Sequence, residues 1–267
     1  MVENIVILMT ACVFPNDTKG TALQAPSIRK KQYLDAIDFY LRETPLKIVF
    51  CENSGTNLWD EIVSKGKNTR LEYLSFNCEG YRNKGKGFGE AKIIQYAISN
   101  SQFIKDASFI IKITGRIIVK NINKLYLSTP KKTQNTIIIS FYSGFGLPLS
   151  SVCFLAHKAW FQKIMERYGS QISDGYATNF EDILFKAIIE DSTNNILRFN
   201  PILEGTCAGL NAPYKNTIDL QHKCIHFSKL YRIYKLRKDN YHCFIYWIVW
   251  RWYAIRIIVH NIFFRQD

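Results

Sequence analysis

The run Phe109-Ile110-Ile111-Lys112-Ile113-Thr114-Gly115-Arg116 places two cations, a hydroxyl and a glycine at the end of an apolar segment. A buried strand that delivers cations and a glycine at its C-terminal end is a common way to build an anion site on an α/β sheet. Lys112 lies inside the apolar run, where an ammonium is costly without an anionic partner. That partner is either a ligand or a carboxylate elsewhere in the fold. Gly115 lets the backbone come close to a ligand. A second stretch, Asn179-Phe180-Glu181-Asp182, opens the helix-like run Ile183 to Ile189. Carboxylates there are favoured by the helix dipole, and one of them can also accept a proton from a hydroxyl. A site that neutralises a phosphate leaving group, with a base from the other stretch, points to group transfer from an activated phosphate donor.

Two further segments offer ligand contacts. Lys84-Gly85-Lys86-Gly87-Phe88-Gly89 precedes a helix, so its amides, Gly87 among them, and the side chains of Lys84 and Lys86 are placed to hold a phosphate. It matches neither the P-loop nor the dinucleotide fingerprint, and a solvated loop is the alternative. Glu52 and Asn53 follow a short apolar strand, where they are placed to hydrogen-bond a nucleoside base or ribose at a sheet's C-terminal edge; an Asx-turn is the plainer account of Asn53. There is no Asp-x-Asp, no Gly-x-Ser-x-Gly and no Cys-x-x-Cys. His222 and His226 are four apart but flanked by Lys223 and Cys224, a poor metal motif. No metal ligand is therefore assigned.

The elements that must position these residues alternate. A strand is expected over 4–14, a helix opened by Pro26 and ended by Pro45, and a strand over 47–51. A helix over 58–64, a strand over 71–76, the Gly-rich loop and a helix over 91–98 follow. Strands over 108–113 and 136–142 complete the first half. The second half reads as strand 152–156, helix 159–168, a helix from Glu181, a strand near 196–199 and a loop from Pro201 to Tyr214. Alternation of this kind predicts an α/β fold with a mostly parallel, Rossmann-type sheet flanked by helices.

The chain has 267 residues, 47% of them apolar, and a net charge of +13, so it can bury a sizeable core and calls for an anionic partner. Seven widely spaced cysteines argue for reduced thiols and a cytoplasmic setting. The apolar run from Ile5 to Phe14 follows Glu3 rather than a basic residue, and reads as a buried strand rather than a signal peptide. From Lys223 to Asp267 nine Lys/Arg face two Asp/Glu, about half of the whole positive excess. This stretch contains Tyr246-Trp247-Ile248-Val249-Trp250-Arg251-Trp252-Tyr253. Arg251, Arg256 and His260 break it as a span, since Arg at mid-membrane costs about 2.5–3.5 kcal/mol. Trp, Tyr and Arg together suit the headgroup layer, so residues 223–267 read as a basic amphipathic tail on a membrane surface. A helical hairpin packed on the domain is the alternative. No helix-turn-helix, zinc or RRM signature is visible, and no nucleic-acid partner is expected.

The order of Glu52-Asn53-Ser54-Gly55, the Gly-Lys-Gly-x-Gly-Glu loop-helix at 85–90 and Ile-Lys-Ile-Thr-Gly-Arg at 111–116 resembles bacterial surface-polysaccharide glycosyltransferases of the GT-A type, the capsule, O-antigen and lipopolysaccharide enzymes. The resemblance covers roughly residues 4–215. It implies a catalytic domain over 1–222, with a nucleotide-sugar donor bound over about 1–142 and the acceptor over about 143–222. The donor contacts would be Glu52, Asn53, Lys84, Lys86, Gly87, Lys112, Thr114 and Arg116. Many such enzymes hold Mg²⁺ or Mn²⁺ on an Asp-x-Asp. Here Lys112-x-Thr114-Gly115-Arg116 falls near that position, and the expectation is that its cations replace the metal. Asn179-Phe180-Glu181-Asp182 is similar to the x-Glu-Asp element of inverting members, which makes Asp182 the catalytic base, with Glu181 as fallback. The acceptor would be a lipid-linked or oligosaccharide glycan at the inner face of the cytoplasmic membrane. A sugar nucleotidyltransferase and a non-enzymatic membrane- or nucleic-acid-binding module are the alternatives.

Overall fold

Strand β1 (Ile5–Ala11) is buried along its whole length, as expected of a central strand in a parallel sheet. A computed structural model describes residues 4–18, 20–64, 69–78, 84–129, 136–140, 149–174, 178–190, 195–207 and 212–213. In it β1 is flanked in parallel by β2 (Lys47–Glu52) on one side and β4 (Phe109–Thr114) on the other, and β3 (Leu71–Ser75) extends the sheet beyond β2. β7 (Ser150–His157) runs antiparallel to β4 and to β6 (Thr136–Ser140), and β8 (Asn195–Arg198) lies parallel to β6. The order is β3-β2-β1-β4-β7-β6-β8. The mixed α/β fold with a mostly parallel sheet is thus present.

Alternation along the strands separates two faces. Ile5, Ile7 and Met9 of β1 join Ile48 and Phe50 of β2 and Ile111 and Ile113 of β4 in one core. Tyr33, Ala36, Ile37 and Tyr40 of α1 (Pro26–Glu43) complete that core. Each such side chain contributes roughly 1.5–3 kcal/mol by leaving water. Pro26 fits the first turn because its missing N–H would have no helical partner. Thr44 ends α1 by returning both its N–H and its hydroxyl to the Tyr40 carbonyl, and Pro45 forbids continuation.

The opposite face is covered by α3 (Lys86–Asn100), which follows the short α2 (Trp59–Ser64), and by α6 (Lys158–Tyr168) and α7 (Phe180–Glu190). Here Thr10 of β1 bonds Glu90, the Cys51 thiol reaches the Ile93 carbonyl, and Phe154 packs edge-on against Phe161. The sequence reading missed α4 (Gln102–Asp106), β5 (Ile118–Val119) and α5 (Ile122–Leu127). It also missed the short strands β9 (Leu203–Glu204), β10 (Thr206–Cys207) and β11 (Ala212–Pro213) within the predicted 201–214 loop. Helix α3 begins five residues before its predicted start, inside the Gly-rich stretch, because its first amides find a cap from a distant loop.

No helix among the described residues is long and apolar enough to cross a membrane. The predicted 223–267 tail, the 222/223 boundary, residues 80–83 of the Gly-rich loop and the end of the 136–142 strand lie outside the described residues.

Candidate functional site

The chain passes from β1 outward to β2 and β3, then returns to add β4 on the other side of β1. The C-terminal ends of β1 and β4 are therefore a topological switch point, where open α/β sheets place their ligands. Gly115 donates its N–H to the Thr10 carbonyl at 2.9 Å. A Cβ at Gly115 would stand 2.8 Å from that oxygen and 3.3 Å from the Tyr33 ring. Gly115 thus serves the close approach of two protein segments rather than of a ligand, contrary to the expectation.

Lys112 is 0% exposed. Its ammonium pairs with Glu90 Oε1 at 2.5 Å, donates to the Ser151 carbonyl at 2.6 Å, and stands 3.4 Å from Thr114 Oγ1. Three donors meet three acceptors, which accounts for the whole hydrogen-bonding capacity of an ammonium. Of the two partners open to this lysine, a ligand or a carboxylate, the structure sets a carboxylate beside it. Its charge is matched by Glu90, whose same oxygen also accepts the Thr10 hydroxyl at 2.8 Å.

Arg116 belongs to a different group. It is 4% exposed, and its Nη1 donates to the Thr206 carbonyl at 3.0 Å and meets Gln32 Oε1 at 3.5 Å. Its Nε has no partner. No carboxylate among the described residues pairs with this guanidinium, and the segment between β10 and β11, Ala208-Gly209-Leu210-Asn211, contains none. A buried cation held only by neutral oxygens favours an incoming anion.

The Gly-rich loop already holds an anion of the protein's own. The N–H groups of Lys86 and Gly87 donate to the two Asp174 oxygens at 2.8 and 2.9 Å, and the Asp174 N–H donates to the Lys84 carbonyl at 3.0 Å. Gly85 has φ +88°, and a Cβ there would overlap Asp174; one at Gly87 would lie 2.8 Å from Asp174 Oδ1. The cradle expected to hold a phosphate is thus occupied by a carboxylate that caps α3. The Lys84 and Lys86 side chains are exposed, and the Lys84 ammonium lies 4.6 Å from the Phe88 ring centre.

Glu52 is 0% exposed. Its carboxylate accepts from the N–H groups of Val13, Ser54 and Thr56 at 2.8–3.0 Å and from the hydroxyls of Ser54 and Ser75. This carboxylate braces the loops after β1 and β2, with protein donors in the place where a nucleoside contact was expected. Asn53, 1% exposed, gives its side-chain amide to the Gly89 carbonyl at 3.4 Å, while its Oδ1 is buried without a partner.

The carboxylates of α7 lie at the same edge of the sheet, because β7 starts where β4 ends. Glu181 Oε1 accepts the Ser151 hydroxyl at 2.5 Å. Asn179 caps the helix by accepting the Asp182 N–H at 2.8 Å on Oδ1, and the Asp182 carboxylate accepts the Asn179 N–H in return. This reciprocal pair is a capping box with Asp in place of Glu. Burial, and then the neighbouring Glu181 charge, push Asp182 up from the ordinary 3.8 to about 6, against the lowering effect of the Asn179 bond. A carboxylate titrating there is mostly ionised at neutral pH yet binds a proton more readily than an ordinary one, which suits general-base work.

The structure therefore joins Lys112, Thr114 and, through Ser151, Glu181 with its neighbour Asp182. It places Lys84, Lys86 and Gly87 around Asp174, and leaves Arg116 with Gln32 and Thr206. Sequence reasoning missed Thr10, Glu90, Ser151 and Asp174 as partners. Glu90 ends the Gly-Lys-Gly-x-Gly-Glu run, and an acid at the edge of an expected helix, with a lysine inside an apolar strand elsewhere, was the available signal. Among the described residues no three His, Cys, Asp or Glu side chains gather in a metal-sized cluster.

No protein-family model matches the chain, and no curated protein matches it. Solved structures do. A protein from Desulfovibrio desulfuricans described as a nucleotide-diphospho-sugar transferase is 11% identical, with 74% of this chain and 80% of that one covered, at a TM-score of 0.47. A glycosyltransferase involved in the glycosylation of the major capsid of PBCV-1 is 11% identical over 73% of this chain and 80% of its own, at 0.46. The 4-diphosphocytidyl-2C-methyl-D-erythritol synthase of Anaerococcus prevotii is 9% identical over 79% and 93%, at 0.47. These are distant likenesses of chain trace, and the site's chemistry rests on its own geometry.

Proposed function

We propose that this chain is a glycosyltransferase with a GT-A-like sheet, moving a sugar from a nucleotide-sugar donor to a hydroxyl acceptor with inversion. The observation that carries the reading is Asp182, a carboxylate at the ligand-binding edge of the sheet whose proton affinity is raised to about 6. The acceptor oxygen attacks the anomeric carbon, its proton passes to Asp182, and the sugar–phosphate C–O bond breaks with its electron pair leaving on the nucleoside diphosphate. Negative charge develops on that leaving group, and a preorganised cation stabilises it most where water is excluded. We assign this role to Arg116, which lies just past the end of β4 at the switch point, buried without a carboxylate partner among the described residues. Lys112 does not take the role, since Glu90 already neutralises it. With Arg116 in that role, metal independence is the form of the reaction we favour over one assisted by Mg²⁺ or Mn²⁺.

The surface-glycan setting is supported by the 223–267 sequence, whose basic and Trp-rich composition suits a membrane headgroup layer. It would keep the enzyme beside a lipid-linked capsule, O-antigen or lipopolysaccharide acceptor at the cytoplasmic face.

The test is release of nucleoside diphosphate from a panel of UDP-, GDP- and dTDP-sugars, and of nucleoside monophosphate from CMP-sugars, with lipid-linked and oligosaccharide acceptors. Turnover that is lost in folded Asp182→Asn protein is expected. Consumption of a nucleoside triphosphate with release of pyrophosphate would instead identify a sugar nucleotidyltransferase.

A further inference from the structure

A chain of polar contacts crosses the sheet beneath the candidate site. Thr10 of β1 donates to Glu90 of α3, Glu90 pairs with Lys112 of β4, and Lys112 donates to the Ser151 carbonyl at the start of β7. The hydroxyl of the same Ser151 donates to Glu181 of α7 at 2.5 Å. Ser151 is thus the junction. Its backbone is held by a fully buried ammonium, and its side chain holds the carboxylate next in sequence to Asp182. Ser151 is itself 6% exposed, and charge-assisted bonds of this length are strong and directional.

We propose that Glu181, pinned by Ser151 onto the buried Lys112–Glu90 pair, is a positioning residue that acts on Asp182. The role of Asp182 as base rests on the reading above; the coupling between the two carboxylates does not. A fixed negative charge beside a half-buried carboxylate disfavours its ionised form. A Glu181 side chain free to turn into water would do so far less, because solvent screens it. The hydroxyl of Ser151 therefore keeps the Glu181 charge where Asp182 feels it. Several other charged or titratable groups on the elements packed against α7 have partners or surroundings of their own. Glu90 of α3 and Lys112 of β4 neutralise each other, with the ammonium 5.5 Å from the Phe180 ring. Cys153 of β7 is held protonated by burial, its thiol pushed up to about 12. Arg167 of α6 pairs with Glu190, and Lys186 lies over Tyr168, both beyond the first turn of α7.

The test is a carbon-detected NMR titration of the full chain labelled at the aspartate side-chain carboxyls, with the Asp182 signal assigned from its absence in Asp182→Asn. The wild-type midpoint is expected at about 6. Glu181→Gln, a change at a partly exposed position, is expected to lower it part of the way toward the ordinary 3.8, since burial, the larger cause, remains. Ser151→Ala should move it in the same direction, and Ser151→Thr, which keeps the hydroxyl, should restore it. A midpoint unchanged in Glu181→Gln overturns the proposal, as does a Ser151→Thr protein that behaves like Ser151→Ala. Because protonation is read directly, a chain that shifts as expected yet turns over no nucleotide sugar would defeat the glycosyltransferase reading and leave the coupling intact.

Discussion

Lys112 and Glu90 form a buried ion pair at 2.5 Å that bridges β4 to the first turns of α3. The lysine looks from sequence like a ligand contact, and the structure makes it a strut. Removing one member strands the other charge, a loss of about 3–5 kcal/mol for a buried pair. Lys112→Met leaves Glu90 unpaired at 18% exposure and should therefore destabilise the fold by up to that amount in chemical denaturation. Lys112→Met with Glu90→Gln should recover much of the loss, because neither charge is then left alone. Additive losses in the double variant would contradict the pairing.

Asp174 caps α3 through the N–H groups of Lys86 and Gly87. Asp174→Ala should cost about 0.5–2 kcal/mol, the usual range for a lost N-cap. Gly85→Ala should cost more than a cap alone, since its φ of +88° disfavours a side chain and the new methyl would overlap Asp174. Because the two changes meet at one carboxylate, their double variant should lose less than the sum, which a denaturant series on the four proteins measures.

Asp182 titrates at about 6 in the folded chain against an ordinary 3.8. Below 3.8 it is protonated in both folded and unfolded states and costs nothing. As pH rises through this window the unfolded chain releases the proton first, so the folded state loses stability until the pH passes about 6. Asp182→Asn should equal wild type in stability near pH 3.5 and exceed it at pH 7. The gain is on the order of 1 kcal/mol, once solvent screening of this partly exposed group is allowed for. If Asp182 is the base, turnover should also fall as pH drops through 6. An equal stability of the two proteins at all pH values would remove the raised proton affinity.

Burial pushes the thiols of Cys51 and Cys153 well up, and that of Cys78 upward, while Cys12 is partly exposed. Only the thiolate reacts with disulfide reagents. Among these four, Cys12 should label first in native protein at pH 8, and Cys51 and Cys153 only on unfolding. Mass spectrometry of timed labelling would show the order, and early loss of Cys153 would contradict the packed sheet.

Much of the fold was legible because its signals are local. The buried runs of β1, β2 and β4 read as parallel strands, and Pro26 and Pro45 bracket α1. The starts of α6 and α7 fall within one residue of their predicted positions. The start of α3 was not legible, because two glycines in its first turn look like a loop until Asp174, 87 residues on from Gly87, supplies the cap. The same limit applied at the site. Lys112 announced that it needed an anion, and its place in an apolar run fits a ligand and a carboxylate equally. Glu90, one helix away, is the answer, and only tertiary packing brings it there. Glu52 was found as a polar residue at a strand end, but its role in holding two loops depends on donors from Val13 to Ser75. Asp182 was legible as a helix-start carboxylate; its raised proton affinity was not, because it comes from burial.

The most direct measurement is a thermal-shift screen of the full chain against UDP-, GDP-, dTDP- and CMP-sugars, in EDTA and in Mn²⁺, for wild type and Arg116→Met. A ligand that binds only the folded state raises its melting temperature by mass action. The account predicts that one nucleotide family stabilises wild type in EDTA, and that Arg116→Met, although folded and no less stable without ligand, loses that response. A folded wild-type protein that answers to no nucleotide sugar in either condition would contradict it.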